Sequence, residues 1–253
     1  MDNSIVSFVT DFYTKCLPLP ECSLSAKYLA DRGVTLQQAE EWKIGASLPV
    51  PSLLPKALAR KGLSIETAKD LNVVFEDKQG ALKDRMFGRV AVTIFSDYGE
   101  PISICGRAIS EETFPKYLFL PHTEDFNKDH TLYGFDRAYK SIYKSGFAVL
   151  TEGFFDVIQA HSVGLRNTVA TCGVHLSDVQ MNKLKRWTTR VVIFYDGDRA
   201  GKEKSVKNQQ LLQEKGFKAA IVTPPDGEDL DTYVRKYGRE SLRTLIATAL
   251  ATI

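Results

Sequence analysis

The hydrophobic pattern changes period twice along the chain. Up to about residue 72, apolar positions recur at helical spacing in short runs. Ile5, Phe8, Val9 and Phe12 share one face, and Pro18 and Pro20 close that segment. Ser25 opens a second run through Tyr28 and Leu29 that Gly33 stops. Thr35 caps a third with Leu36, Ala39 and Trp42, and Ser64 precedes Ile65, Ala68 and Leu71. Between about 73 and 120 the spacing shortens to that of strands: 73–75, 89–95, 101–107 and 116–120 predict an antiparallel sheet with a hairpin turn at 96–100. From about 137 strand and helix alternate, which predicts a parallel sheet with strands at 147–151, 167–171, 191–195 and 218–222. The expected fold is α/β (α+β overall). A mixed helical and antiparallel-sheet domain spans 1–136, and a Rossmann-like parallel-sheet domain spans 137–253.

The chemistry concentrates where the predicted parallel strands end. Val191-Val192-Ile193-Phe194-Tyr195 runs straight into Asp196-Gly197-Asp198, and a helix follows from Arg199. Residues two apart on extended chain share a face, so Asp196 and Asp198 can point together into the crevice outside the strand's carboxyl edge. Two carboxylates there repel unless a cation lies between them, and hard oxygen ligands suit Mg²⁺. The alternative is one aspartate capping the helix and the other solvated in a turn. Two further strands end in acids, at Glu152 and Asp156 and at Asp226, Glu228, Asp229 and Asp231. That convergence favours the metal.

Charge adds a second contrast. The net charge is only +2, yet from residue 147 onward 15 Lys and Arg stand against 12 Asp and Glu, eight of which fall in those three clusters. An acidic focus in a basic field suits a metal site acting on a polyanion. In the antiparallel sheet Arg85, Arg89, Arg107, Lys116 and Lys128 form a basic rim, and with Tyr117 they can bind phosphates and stack a base. No apolar run approaches the ~20 residues that span a bilayer. Four scattered cysteines (Cys16, Cys22, Cys105, Cys172) make neither a disulfide framework nor a paired Cys-x-x-Cys zinc site. A reduced, intracellular setting without membrane association is expected.

Thr-Glu-Gly-Phe-Phe-Asp (151–156), Tyr-Asp-Gly-Asp-Arg-Ala-Gly (195–201) and Pro-Asp-Gly-Glu-Asp-Leu-Asp-Thr (225–232) resemble the successive motifs of a TOPRIM domain. With Gly88-Arg89-Val90, Gly106-Arg107, Pro115-Lys116-Tyr117-Leu118 and Leu132-Tyr133-Gly134, the ordered set is similar to DnaG-type bacterial and phage primases over roughly residues 25–245. The resemblance implies a nucleotidyltransferase that joins ribonucleoside triphosphates into RNA primers on single-stranded DNA during replication. It implies that Glu152, Asp196 and Asp198 hold catalytic Mg²⁺ (Mn²⁺ can substitute), with Asp156, Asp229 and Asp231 around them. Arg89, Arg107, Lys116, Tyr117, Lys128, Asp156 and Arg199 are the implied nucleotide or template contacts.

Three departures qualify it. No Cys/His quartet precedes residue 25, the helical bundle after the TOPRIM segment stops at Ile253, and Ala91-Val92-Thr93-Ile94 replaces the family's Met-Phe-Pro-Ile. The expectation is a core cut from a longer primase or a compact phage-like one, cytoplasmic in a bacterium or a phage-infected host. A replicative helicase or a separate zinc-binding domain would be its partners. The competing readings are a TOPRIM metal-dependent nuclease and a catalytically idle single-strand-binding replisome subunit.

Overall fold

The computed structural model describes residues 4–173 and 175–253. The chain divides into two compact units, Met1–Phe126 and Asn127–Ile253. The division falls ten residues before the expected one because residues 127–136 are tied into the second unit. Gln180 Nε2 donates to the carbonyls of Lys128 (3.0 Å) and Thr131 (2.7 Å), and Tyr133 exchanges backbone hydrogen bonds with Ala170.

The first unit contains α1 (Ser4–Cys16), a 3₁₀ turn (Pro20–Cys22), α2 (Ser23–Asp31), α3 (Leu36–Glu41), β1 (Ile44–Ala46), α4 (Leu53–Arg60) and α5 (Ile65–Asp70). Then follow β2 (Val74–Glu76), β3 (Leu82–Asp84), β4 (Arg89–Phe95), β5 (Pro101–Ala108) and β6 (Tyr117–Phe119). Thr35 starts α3 with a reciprocal capping box: its side chain accepts from the Gln38 N–H while Gln38 accepts from the Thr35 N–H. The main sheet is antiparallel in the order β1-β4-β5-β6. Strand β1 lies within the stretch expected to be helical. Three residues are too short to show a period, and Ile44-Gly45-Ala46 become a strand by pairing with Val92-Ala91-Val90 of β4. A Cβ on Gly45 would lie 2.2 Å from the Tyr13 carbonyl carbon, so only glycine lets α1 lie so close to the sheet. Ile5, Val9, Leu54, Leu58, Met86 and Ile104 fill the core beneath it.

The second unit contains α6 (Phe135–Ser145), β7 (Ala148–Thr151), α7 (Phe154–Ser162), β8 (Thr168–Ala170) and α8 (Asp178–Lys185). It continues with β9 (Arg190–Phe194), α9 (Arg199–Glu214), β10 (Lys218–Val222) and α10 (Leu230–Leu250). Helix α10 is kinked at Gly238, whose φ is 76°. The four strands are parallel in the order β10-β9-β7-β8. Alternate residues serve opposite faces, as a doubly covered sheet requires. Ala148, Leu150, Val191 and Ile193 pack with Ala138, Leu184 and Leu212 of α6, α8 and α9. Val149, Val192, Phe194 and Ala220 pack with Ala160, Val234 and Ile246 of α7 and α10. Each large apolar side chain sealed in this way contributes roughly 2 kcal/mol. Helices α7 and α9 therefore leave the adjacent strands β7 and β9 toward opposite faces, which opens a crevice at their carboxyl ends.

Candidate active site

That crevice is where the acids collect. Glu152 follows β7, Asp196 and Asp198 follow β9, and the 226–231 segment follows β10. Glycine makes the junctions close enough. A Cβ on Gly197 would fall 2.2 Å from the Pro225 carbonyl oxygen, and one on Gly201 would fall 2.2 Å from that of Asp196. The Gly197 N–H donates to the Glu228 carbonyl at 2.7 Å, stitching the loop after β9 to the loop after β10. These Asp-Gly-Asp and Ala-Gly positions are glycine because backbone passes backbone there.

Asp198 caps α9: its Oδ1 accepts the Gly201 N–H at 2.7 Å, and the side chain is otherwise exposed. The cap takes only Oδ1, so capping and ligation, alternatives in the sequence, do not exclude each other at this carboxylate. Asp229 likewise caps α10, with Oδ1 accepting from the Thr232 N–H and hydroxyl at 2.7 Å each. Asp156 is 5% exposed and joins two loops, Oδ2 accepting from the Gly153 N–H (2.9 Å) and Oδ1 from the Asp231 N–H (3.0 Å). Burial raises its pKa well above the usual carboxylate range, and the neighbouring charges of Asp229 and then Asp196 push it further. Asp196 is raised to about 6, first by burial, then by Glu152, Asp229 and Asp198.

Cations complete the picture unevenly. Lys202 pairs with Asp226, Lys236 with Glu228 (2.7 Å), and Arg235 with Asp231 (2.9 Å). Lys204 of α9 holds Glu152 Oε2 at 2.7 Å, while Glu152 Oε1 is buried without a hydrogen-bond partner. No lysine or arginine pairs with Asp156, Asp196, Asp198 or Asp229 among the described residues, and four acids gathered at the ends of three strands this way have the chemistry of a divalent-cation seat. Among those same residues, no three ligating side chains yet converge within reach of one ion.

The positions of several expected site residues change their meaning. Asp231 is fully buried, its carboxylate paired with Arg235 one turn along α10, and its N–H, donating to Asp156, ties the start of α10 to α7. Asp156, with both oxygens on backbone N–H groups, is a strut rather than a template contact. Arg89 is 4% exposed, its guanidinium donating to the carbonyls of Gly106, Phe114 and Pro115, because a buried charge must spend its donors locally. Lys128 belongs to the second unit, not to the rim of the antiparallel sheet. Arg199 is exposed and paired with Glu203.

In the first unit Arg107 remains at a ligand-sized cleft of about 450 Å³, with Tyr28, Arg32, Ser110, Phe114 and Lys116. Arg107 donates to the Tyr28 hydroxyl at 2.7 Å and lies over the Tyr117 ring at 4.8 Å. Tyr28 and Arg32 were not expected, since nothing before residue 80 showed chemistry. Only the i,i+4 spacing of an aromatic and an arginine hinted at them, and Arg107 is 79 residues away. Lys204 was missed too. Its one signal is a place beside the buried stripe of α9, Gly201, Ser205, Asn208 and Leu212.

Comparisons with known proteins find relatives along both units. Residues 12–139 match the model of the DNA primase catalytic core, N-terminal domain, and residues 149–234 match a Toprim-like model. The DNA primase of Halalkalibacterium halodurans is 35% identical over 242 residues, 95% of this chain and 40% of that protein. This chain therefore spans well under half of that relative's length. The crystal structure of the Aquifex aeolicus primase zinc-binding and RNA polymerase domains superposes with a TM-score of 0.88 at 33% identity, covering 97% of this chain and 60% of that one. A DnaG primase catalytic domain bound to single-stranded DNA superposes at 0.84 with 28% identity, covering 97% of this chain and 80% of that one.

Proposed function

The chain belongs to the DnaG-type primase family, as a catalytic core with a TOPRIM domain, and on that premise we propose that it synthesises RNA primers on single-stranded DNA from ribonucleoside triphosphates. One observation carries the reading: the segments at the carboxyl edge of β10-β9-β7 bring together Asp196, Asp198 and Asp229 beside the buried Asp156, and among the described residues no lysine or arginine is paired to any of them. Such a group is stabilised by a divalent cation, and the buried, unpartnered Glu152 Oε1 fits the same need. Glu152, Asp196 and Asp198 would hold Mg²⁺, with Mn²⁺ able to replace it, and Asp229 would contribute the oxygen its helix cap leaves over. A bound ion would lower the pKa of the attacking 3′-hydroxyl and offset charge on the α-phosphate and departing pyrophosphate.

The remaining residues position. Asp156 and Asp231 lock the loops so that the ligands need not reorganise, and Arg89 shapes the 114–115 turn beside Lys116. Arg107, Lys116 and Tyr117 are suited to hold a nucleotide or template by phosphate pairing and base stacking. Single-stranded DNA as template is supported by the DNA-bound relative. A zinc-binding domain is supported as a partner by the Aquifex structure, which joins one to its RNA polymerase domain. A replicative helicase is the other proposed partner, and no described helix is long and apolar enough to cross a membrane.

The test is primer synthesis on mixed-sequence single-stranded DNA with labelled ribonucleotides and Mg²⁺ or Mn²⁺, beside Asp198→Asn. Asparagine keeps the helix cap and removes the charge, so folding is expected to survive. Short RNA that disappears in the variant supports the reading; degradation of a preformed primer would replace it with a nuclease.

A further inference from the structure

The acid focus of the second unit is not left bare. Lys204 Nζ lies 2.7 Å from Glu152 Oε2, both side chains only about a quarter exposed (25% and 23%), and 5.1 Å from the centre of the Tyr195 ring. Its charge also reaches Asp196, opposing the repulsion from Glu152, Asp229 and Asp198. The other nearby cations serve the outer acids: Lys202 at Asp226, Arg235 at Asp231 and Lys236 at Glu228. Among the described residues, Lys204 is therefore the cation paired within the inner group.

We propose that Lys204 is a built-in counter-ion of this site: its ammonium neutralises Glu152 through Oε2 while no divalent cation is bound, and its charge competes with that of an ion taken at the free Oε1. The inference rests on the divalent-cation reading of the site. A lysine suits the task, because a compact ammonium on a flexible stem withdraws by rotating its own bonds, whereas a guanidinium fork would clamp the carboxylate. The Tyr195 ring, itself fixed by the Asn208 amide on its hydroxyl (2.8 Å), gives the stem a rigid wall to slide along. The arrangement keeps Glu152 and Asp196 from forcing the loops apart without metal, at the cost of competing with the metal for Glu152.

The competition is measurable without catalysis. Mn²⁺ is titrated into the full chain and the free ion is followed by electron paramagnetic resonance, with no nucleotide or DNA present. Lys204→Met keeps the apolar stem and removes the charge, and is expected to bind Mn²⁺ about fivefold tighter, the size a part-buried ion pair is worth. Lys204→Arg is expected to bind no tighter than the parent. In chelator the Met variant melts below the parent, and the gap closes at saturating Mn²⁺. Lys204→Gln, which needs no apolar seat, gives the same comparison if the Met variant is unstable. Equal or weaker Mn²⁺ binding by folded charge-removed variants overturns the proposal. Binding by neither parent nor variants overturns the divalent-cation reading and this inference with it.

Discussion

In the antiparallel-sheet unit two buried charges are consumed by structure: Arg89 spends its donors on three carbonyls, and Asp84 accepts from the Tyr13 hydroxyl (2.6 Å) and the Met86 N–H (2.8 Å). In the parallel-sheet unit the inner carboxylates face one another, and among the described residues the lysine paired with them, Lys204, bonds Glu152 while its charge also reaches Asp196. A buried charge with all its hydrogen bonds made within the chain holds a fold. Like charges gathered with too few cations among them work against the fold, and they make sense as a place reserved for something else. That contrast, more than any single residue, separates scaffold from site.

The contrast breaks most readily by substitution on each side. Asp196→Asn is expected to lower primer synthesis by more than about a hundredfold, beyond what losing a mere supporting group costs, with an unchanged far-ultraviolet spectrum. Arg89→Met is expected to do the reverse. It strands three carbonyls and should lower stability by about 3 kcal/mol in urea unfolding, with activity per folded molecule retained. A large activity loss in stable Arg89→Met would return that side chain to the site.

Within the second unit, Asp231→Ala tests whether an acid beside the focus is a strut. Loss of its bond to Arg235 is expected to cost about 2 kcal/mol in the same measurement, while Mn²⁺ binding to the folded protein is preserved.

Acid sharpens the comparison through one group in each unit. Burial raises Asp84 to about 6, so its contribution is fully present below about pH 4 and is lost as pH rises through 6. Burial lowers His161 to about 4, against the carbonyl of Thr168, and Arg137 and Arg166 add to the effect. Its contribution is present above about pH 6.5 and is lost as pH falls toward 4. Urea unfolding at pH 4.5 and 7.5 should therefore show opposite changes on removing each group, on the order of 2 kcal/mol. Asp84→Asn removes a gain on acidification, and His161→Gln removes a loss.

The smallest effect is expected at the exposed Lys116. Its replacement by Ala should weaken single-stranded DNA binding several-fold and reduce the salt slope by about one, read by fluorescence anisotropy at several salt concentrations. An unchanged slope would exclude a phosphate contact.

The order of strands and helices, and the acids at the ends of β7, β9 and β10, were legible because each is local. A run such as Val191 to Tyr195 announces a buried strand, and whatever follows it must lie at the carboxyl edge. What each charged side chain does there was not local. Asp196 and Asp231 look alike along the chain, yet one faces three other acids and the other is sealed against Arg235. Arg89 and Lys116 look equally basic, yet one is buried under three carbonyls and the other is exposed. Strand β1, the pairing of Tyr28 with Arg107 and the hold of Lys204 on Glu152 join residues 44 to 79 positions apart, and β1 forms only because a neighbouring strand supplies the partner. Periodicity determines which face of an element is buried. Only the packed structure decides which charges meet, because that depends on distances closed by other parts of the chain.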